Sequence, residues 1–150
     1  MLLSVADEEV VSRFVLHRIH VDKKGRIEPK AFWPPPDNRR VSVQRMAFTA
    51  GHRCRQLANQ MTQGGSHPYE GLILIRVCHI RKAGARIRPW PQFGAIGHAN
   101  IIYKHRLRKG TPAYEAILRI SEYLKARALY IPDPDPQGKN VWQLPLNDVP

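Results

Sequence analysis

The chain has 150 residues, enough for one domain with a real hydrophobic core. Two cysteines are too few for a disulfide framework or for a zinc site built on CxxC pairs, and no apolar run nears the roughly 20 residues that span a bilayer. Lys and Arg number 24 against 12 Asp and Glu, so self-repulsion has to be offset by something negative.

In chain order, residues 6–20, ADEEVVSRFVLHRIH, begin helix-like, with acids where a first helical turn favours them, and continue as a stretch that reads equally as a strand. DKKG (22–25) is a turn, and WPPPDNRR (33–40) is a proline-rich loop. VSVQR (41–45) alternates, which predicts a short strand with Ser42 and Gln44 on one side. AFTAGHRCRQLANQMTQ (47–63) carries Phe48, Cys54, Leu57, Ala58 and Met61 at helical spacing, and GGSHPYEG ends it.

LILIRVCHIR (72–81) is the most apolar segment and reads as one central strand with Cys78 as a buried, reduced thiol. The connection 82–97 is irregular, with a β-arm suggested by the alternating ARIR, and HANIIYKHR returns as a strand. Thr111-Pro112 opens the clearest helix, a capping hydroxyl followed by proline at the first helical position. The end of the chain, PDPDPQGKNVWQLPLNDVP, is rich in proline and acid and reads as extended, either free or laid across another surface.

This pattern predicts an α+β fold: a small mixed or mostly antiparallel sheet with two or three helices packed on one face, and an acidic Pro-rich C-terminal tail. A single basic domain over residues 1–131 and the tail over 132–150 is the expected division. The acids near the N-terminus, where a secretory leader carries basic residues, favour a cytoplasmic address without a membrane.

Seven histidines raise the question of a metal or of acid–base chemistry. His17 and His20 are spaced HxxH, which joins them on one face only if the segment is helical. No acid stands where it would complete a zinc motif, and HExxH is absent, so no metal and no other cofactor is expected. The sequence lacks the phosphate-loop, dinucleotide-binding and GxSxG patterns, and His52 is badly spaced to activate Cys54.

Metal-independent RNA cleavage needs a base, an acid and a cation for the developing phosphorane charge. Its candidates are His98 as an acid–base group with Ser42 and Arg45 on the phosphate, and His17, His20 and His79 as further imidazoles on or beside strands. His98 stands in GAIGHANII (94–102), between a glycine-rich turn and a strand.

The charge is concentrated: residues 10–131 hold 23 basic and 6 acidic side chains, and the two ends hold 6 acids and one lysine. Nucleic acid is the commonest partner of such a body. Basic and aromatic residues interleave in RKAGARIRPWPQF (81–93) and YKHRLRK (103–109), which makes Arg81, Lys82, Arg86, Arg88, Trp90, Lys104, Arg106, Arg108 and Lys109, with Arg39 and Arg40, the candidate contacts to RNA or DNA. Tyr103 and Phe93 belong to the same segments.

The ordered set Arg18-Ile19-His20, Ala31-Phe32, Ser42-Val43-Gln44-Arg45 and Gly97-His98-Ala99-Asn100-Ile101 resembles a loose group of small bacterial proteins. The resemblance marks His98, Ser42 and Arg45 as positions to test and brings no activity with it. The leading expectation is a basic bacterial nucleic-acid-binding protein, a component of a larger defence-type or nucleoprotein assembly. The alternatives are a metal-independent ribonuclease-like enzyme and a non-catalytic adaptor that binds other protein subunits through its tail and its basic body.

Overall fold

The computed structural model describes residues 4–150. Its six strands form one antiparallel sheet in the order β4-β5-β2-β1-β3-β6, from β1 (Val10–Leu16), β2 (Arg40–Arg45), β3 (Tyr69–Arg76), β4 (Arg86–Pro89), β5 (His98–Ile102) and β6 (Leu129–Pro132). Three helices accompany it: α1 (Gly51–Thr62), α2 (Val77–Lys82) and α3 (Pro112–Lys125). The α+β expectation holds, with every strand pair antiparallel.

Two segments differ from their sequence reading. Residues 10–16 are strand β1, which lies between β2 and β3 and is covered on both faces, so it shows no clean alternation. The acids ahead of it cap no helix. Glu9 accepts the Ala6 N–H at 2.8 Å and binds Arg45, and Asp7 binds Arg81. The apolar run 72–81 divides: β3 ends at Arg76, and α2 starts at Val77. The bend comes where β1 runs out, because the N–H groups of Val77 and Cys78 bond instead to Glu9 and Asp7 carbonyls at 2.9 Å. Val77 and Ile80 then bury on one side of α2, and Cys78 is left half-buried on a helix, not in a strand.

The helices occupy both sheet faces, where the sequence placed them on one. Behind the sheet, Val11, Val15, Val41, Val43, Ile73, Ile75, Ala99 and Ile101 pack with Ile80 of α2, Ile117 and Leu124 of α3, and Phe32 from a short helical turn (Pro29–Phe32). Helix α3 begins as the sequence indicates: Thr111 Oγ1 accepts the Tyr114 N–H, and Pro112 follows it. In front, Leu72, Leu74 and Tyr69 pack with Cys54 and Ala58 of α1.

The C-terminal segment completes that second core. Trp142 and Val149 are buried in it, and Leu144 and Leu146 pack against it. Polar contacts fasten the strap: Arg55 donates to Asn140 O (2.7 Å), Asn59 to Pro136 O (2.8 Å) and Arg76 to Val149 O (3.1 Å). The surface that receives these residues is this domain's own. No helix among the described residues is long and apolar enough to cross a membrane.

Candidate nucleic-acid interface

Helix α1 and the C-terminal strap pack on the front of β1, β3 and β6, and among the described residues that front core holds no side chain of β2, β5 or β4. Strand register decides which side chains occupy the front of these three strands. Directly opposed residues of an antiparallel pair share a face, so Arg86–Ile102–Arg40 form one row and Arg88–Asn100–Ser42 the next. The third row runs His98–Gln44–Ser12–Leu74–Leu129, from uncovered to covered. Trp90 extends it outward, its N–H bonded to His98 O at 2.9 Å.

Arg40, Ser42, Arg86, Arg88 and Trp90 are exposed on this surface. The Arg40 guanidinium lies over the Trp90 ring at 5.4 Å from its centroid, which holds the indole beside the cations with 43% of its surface open. Arg39, Lys104 and Arg106 line the adjoining shallow hollows with Arg40, Arg86 and Arg88. Arginine on the front of the edge strand β4, together with Pro89 at its end, also guards that edge against pairing with another strand.

The remaining sequence candidates fall elsewhere. Arg81 is engaged with Asp7 and the Val5 carbonyl, and Arg108 with Asp37 at 2.7 Å. Lys82 ends α2, and Lys109 lies in the turn before α3. Tyr103 is buried, with its hydroxyl donating to Phe32 O, so it offers no ring to a ligand. Phe93 in the β4–β5 loop is fully exposed.

Arg45 does not join Ser42 and His98. Alternation along β2 sends Ser42 and Gln44 to the front, as the sequence predicts, and Val41, Val43 and Arg45 to the other side. There Arg45 Nε and Nη2 bind the two Glu9 carboxylate oxygens at 2.9 and 2.8 Å, Nη2 also donates to Ser4 O, and the guanidinium stacks on Phe48 at 4.7 Å. Burial would raise the Glu9 pKa, but the hydrogen bonds from Arg45 and the Ala6 N–H bring it below the ordinary value.

The histidines also disperse. His17 meets Glu70 at 2.7 Å on an exposed turn, and His79 on α2 faces Pro150 O. His20 is buried, accepts the Leu16 N–H on Nδ1 at 3.2 Å, and has its pKa lowered to about 4 by burial and by the charge of Arg13. These contacts give an HxxH pair with two separate structural duties. Of the four histidines proposed from sequence, His98 is the one on the front of the sheet, opposite Gln44.

His98 is 7% exposed and stands behind a close approach of two backbones. A Cβ on Gly97 would lie 2.2 Å from Thr49 Oγ1 and 3.2 Å from Arg45 O, so residue 97 has to be glycine to let β5 begin here. The His98 ring is oriented by Trp90 O, 2.8 Å from Nδ1. A carbonyl only accepts, so Nδ1 carries the proton, and Nε2 of the neutral ring is an acceptor.

Beside His98, between α1 and the front of β1, β2 and β5, lies a pocket of about 190 Å³. Phe14, Leu57 and Met61 give it apolar walls, and Ser42, Gln44 and His98 give it polar groups. The Gln44 Oε1 atom is buried without a hydrogen-bond partner. Cys54 also borders the pocket, but burial pushes its thiol up to about 11, which makes it a poor nucleophile. The sequence reading did not single out Gln44, Phe14 and Leu57 as site residues, because apolar residues at helical spacing and one glutamine on a strand carry no chemical signature until two elements meet.

The geometry therefore defines a class: an antiparallel α+β domain with a half-open, arginine-bearing sheet face and a pocket at its inner margin. No family model matches the chain, and comparisons with curated proteins and with solved structures find no match either.

Proposed function

We propose that the chain binds nucleic acid in single-stranded form across the front of β4, β5 and β2. One observation carries this reading: Arg40, Arg86 and Arg88 stand in register on an uncovered face, next to an open indole. Arginines aligned across strands suit a run of phosphates, and Trp90 suits stacking with an unpaired base. A duplex keeps its bases stacked inside and would leave Trp90 unused.

The sequence-wide charge favours the same partner, since the excess of cations lies in the body that contains this face. The test is fluorescence anisotropy with labelled single-stranded and duplex oligonucleotides over a range of salt concentrations. Tighter binding of the single strand, falling steeply as salt rises, supports the reading. Salt-insensitive binding, or none to either form of RNA or DNA, overturns it.

A further inference from the structure

We infer that the pocket under α1 receives one base of the bound strand, and that Gln44 and His98 select a base bearing an exocyclic amino group. The inference rests on the single-strand reading and deepens it, because it supplies a preference that an arginine row cannot. Four observations lead to it.

The first is size. An apolar cavity of about 150 Å³ holds benzene, so a pocket of about 190 Å³ has room for a single heteroaromatic base. Phe14, Leu57 and Met61 would contact its faces and edges without demanding hydrogen bonds. Met61 is 72% exposed at the rim, a flexible side chain at the point of entry.

The second is an unmet hydrogen-bond requirement. A buried acceptor without a partner costs on the order of 1–3 kcal/mol, and Gln44 Oε1 is such an atom on a side chain that lines the pocket. A ligand toward which the amide turns, and which donates to this oxygen, removes the cost.

The third is the pairing of acceptors. Gln44 and His98 are directly opposed across β2 and β5, which sets their Cβ atoms about 4.5–5.5 Å apart. In its neutral form His98 adds a second acceptor, Nε2, because Trp90 O accepts from the Nδ1–H. An amino group has two N–H bonds to give to two such acceptors. Uracil and thymine offer one ring N–H between two carbonyls, which would face these acceptors unfavourably. Ser42, whose hydroxyl donates or accepts, is free to meet a ring nitrogen beside the amino group.

The fourth is continuity. Trp90 and His98 belong to the same row of the sheet, so a strand stacked on Trp90 passes the pocket mouth. One base turned inward at that point would enter between α1 and β2.

Uncharged nucleosides separate this inference from the reading it rests on, because they lack the phosphates that the arginines would hold. Adenosine, cytidine and uridine are titrated into the isotope-labelled full chain, and amide shifts are followed by NMR. Adenosine and cytidine should shift residues 42–44 and 98–100 and bind at least several-fold more tightly than uridine. Leu57→Trp should fill the pocket and abolish these shifts, and Gln44→Leu, which removes the unpartnered acceptor at similar size, should erase the preference. Both variants should lose the base preference in oligonucleotide binding and keep the salt slope, because neither removes a cation from the arginine face. Oligonucleotide binding without any nucleoside shift at the pocket overturns the inference and leaves the arginine face standing. Equal binding of uridine, or an unchanged preference in Gln44→Leu, overturns the selection by Gln44 and His98.

Discussion

Arg55 on α1 and Asp133 just after β6 form a two-pronged ion pair, Nε and Nη2 each 2.8 Å from a carboxylate oxygen, with side chains 2% and 0% exposed. The Tyr69 hydroxyl donates to the same carboxylate at 2.6 Å, and the Asp135 N–H at 2.9 Å. Trp142 stacks on the guanidinium at 5.3 Å. This cluster joins three parts of the chain that are distant in sequence, and it fastens the C-terminal strap over the front core. Replacing Asp133 by Ala strands a buried cation, so a loss of about 3–5 kcal/mol is expected in chemical denaturation. Ending the chain at residue 132 removes the same anion together with Trp142 and Val149, and a broad, weakened unfolding transition is expected. A truncated chain that unfolds as sharply and as late as the full one would show that the strap is dispensable.

Stability should fall with acid in two stages. His20 has an ordinary pKa of 6.5 and about 4 in the folded chain, so between these values the unfolded chain binds a proton that the folded chain refuses. Its contribution is complete above pH 6.5 and lost as pH falls towards 4, about 3–4 kcal/mol in all. Asp133 and Glu9 follow: burial acts to raise both pKa values, the bonds from Arg55 and Tyr69 or from Arg45 outweigh it, and both end below the ordinary value. Their share is present above the ordinary carboxylate pKa and disappears below it. Thermal melts from pH 8 to 3 should show both stages, and His20→Asn should remove the upper one.

Arg40 and Arg45 lie five residues apart on one strand, yet substitution should separate them. Alanine at Arg40 and Arg88 together should reduce the salt dependence of single-strand binding by a slope of about 1.4, at about 0.7 per phosphate contact, with the fold unchanged. Alanine at Arg45 strands the Glu9 carboxylate and should cost about 3–5 kcal/mol of stability. The salt slope, measured where the variant is still folded, should stay as it was. A reduced slope in Arg45→Ala would place that guanidinium on phosphate after all.

Trp90→Ala should weaken single-strand binding by about 1–3 kcal/mol, the usual contribution of one stacked base, and should leave the salt slope nearly intact because no charge is removed. Anisotropy titrations at two salt concentrations distinguish this from a lost phosphate contact, which changes the slope.

Gly97→Ala should destabilise by about 1–3 kcal/mol, an overpacking cost, because its Cβ would overlap Thr49 Oγ1. The double change Gly97→Ala with Thr49→Ala should recover part of the loss in thermal melts, since the nearest atom is then gone. No recovery would assign the strain to the Arg45 carbonyl, 3.2 Å from the added methyl.

Local physics determined much of this protein from sequence alone. Net charge and its concentration in the body are sums over residues, and the alternation of Val41-Ser42-Val43-Gln44 assigned Ser42 and Gln44 to one side before any partner strand was known. Thr111-Pro112 fixed the start of α3, because a cap acts within its own helical turn. Tertiary structure decided the rest. An apolar run has no internal signal of where its partner strand ends, so Arg76 closes β3 only because β1 stops at Val10. Alternation puts Arg40 and Arg45 on opposite sides of β2, but only the tertiary structure brings Glu9, Ser4 and Phe48 to the side of Arg45 and leaves that of Arg40 open to solvent. The pocket exists because α1 lies over β1 and leaves the front of β2 open, a juxtaposition of residues 14, 44, 57 and 98 that no spacing along the chain records.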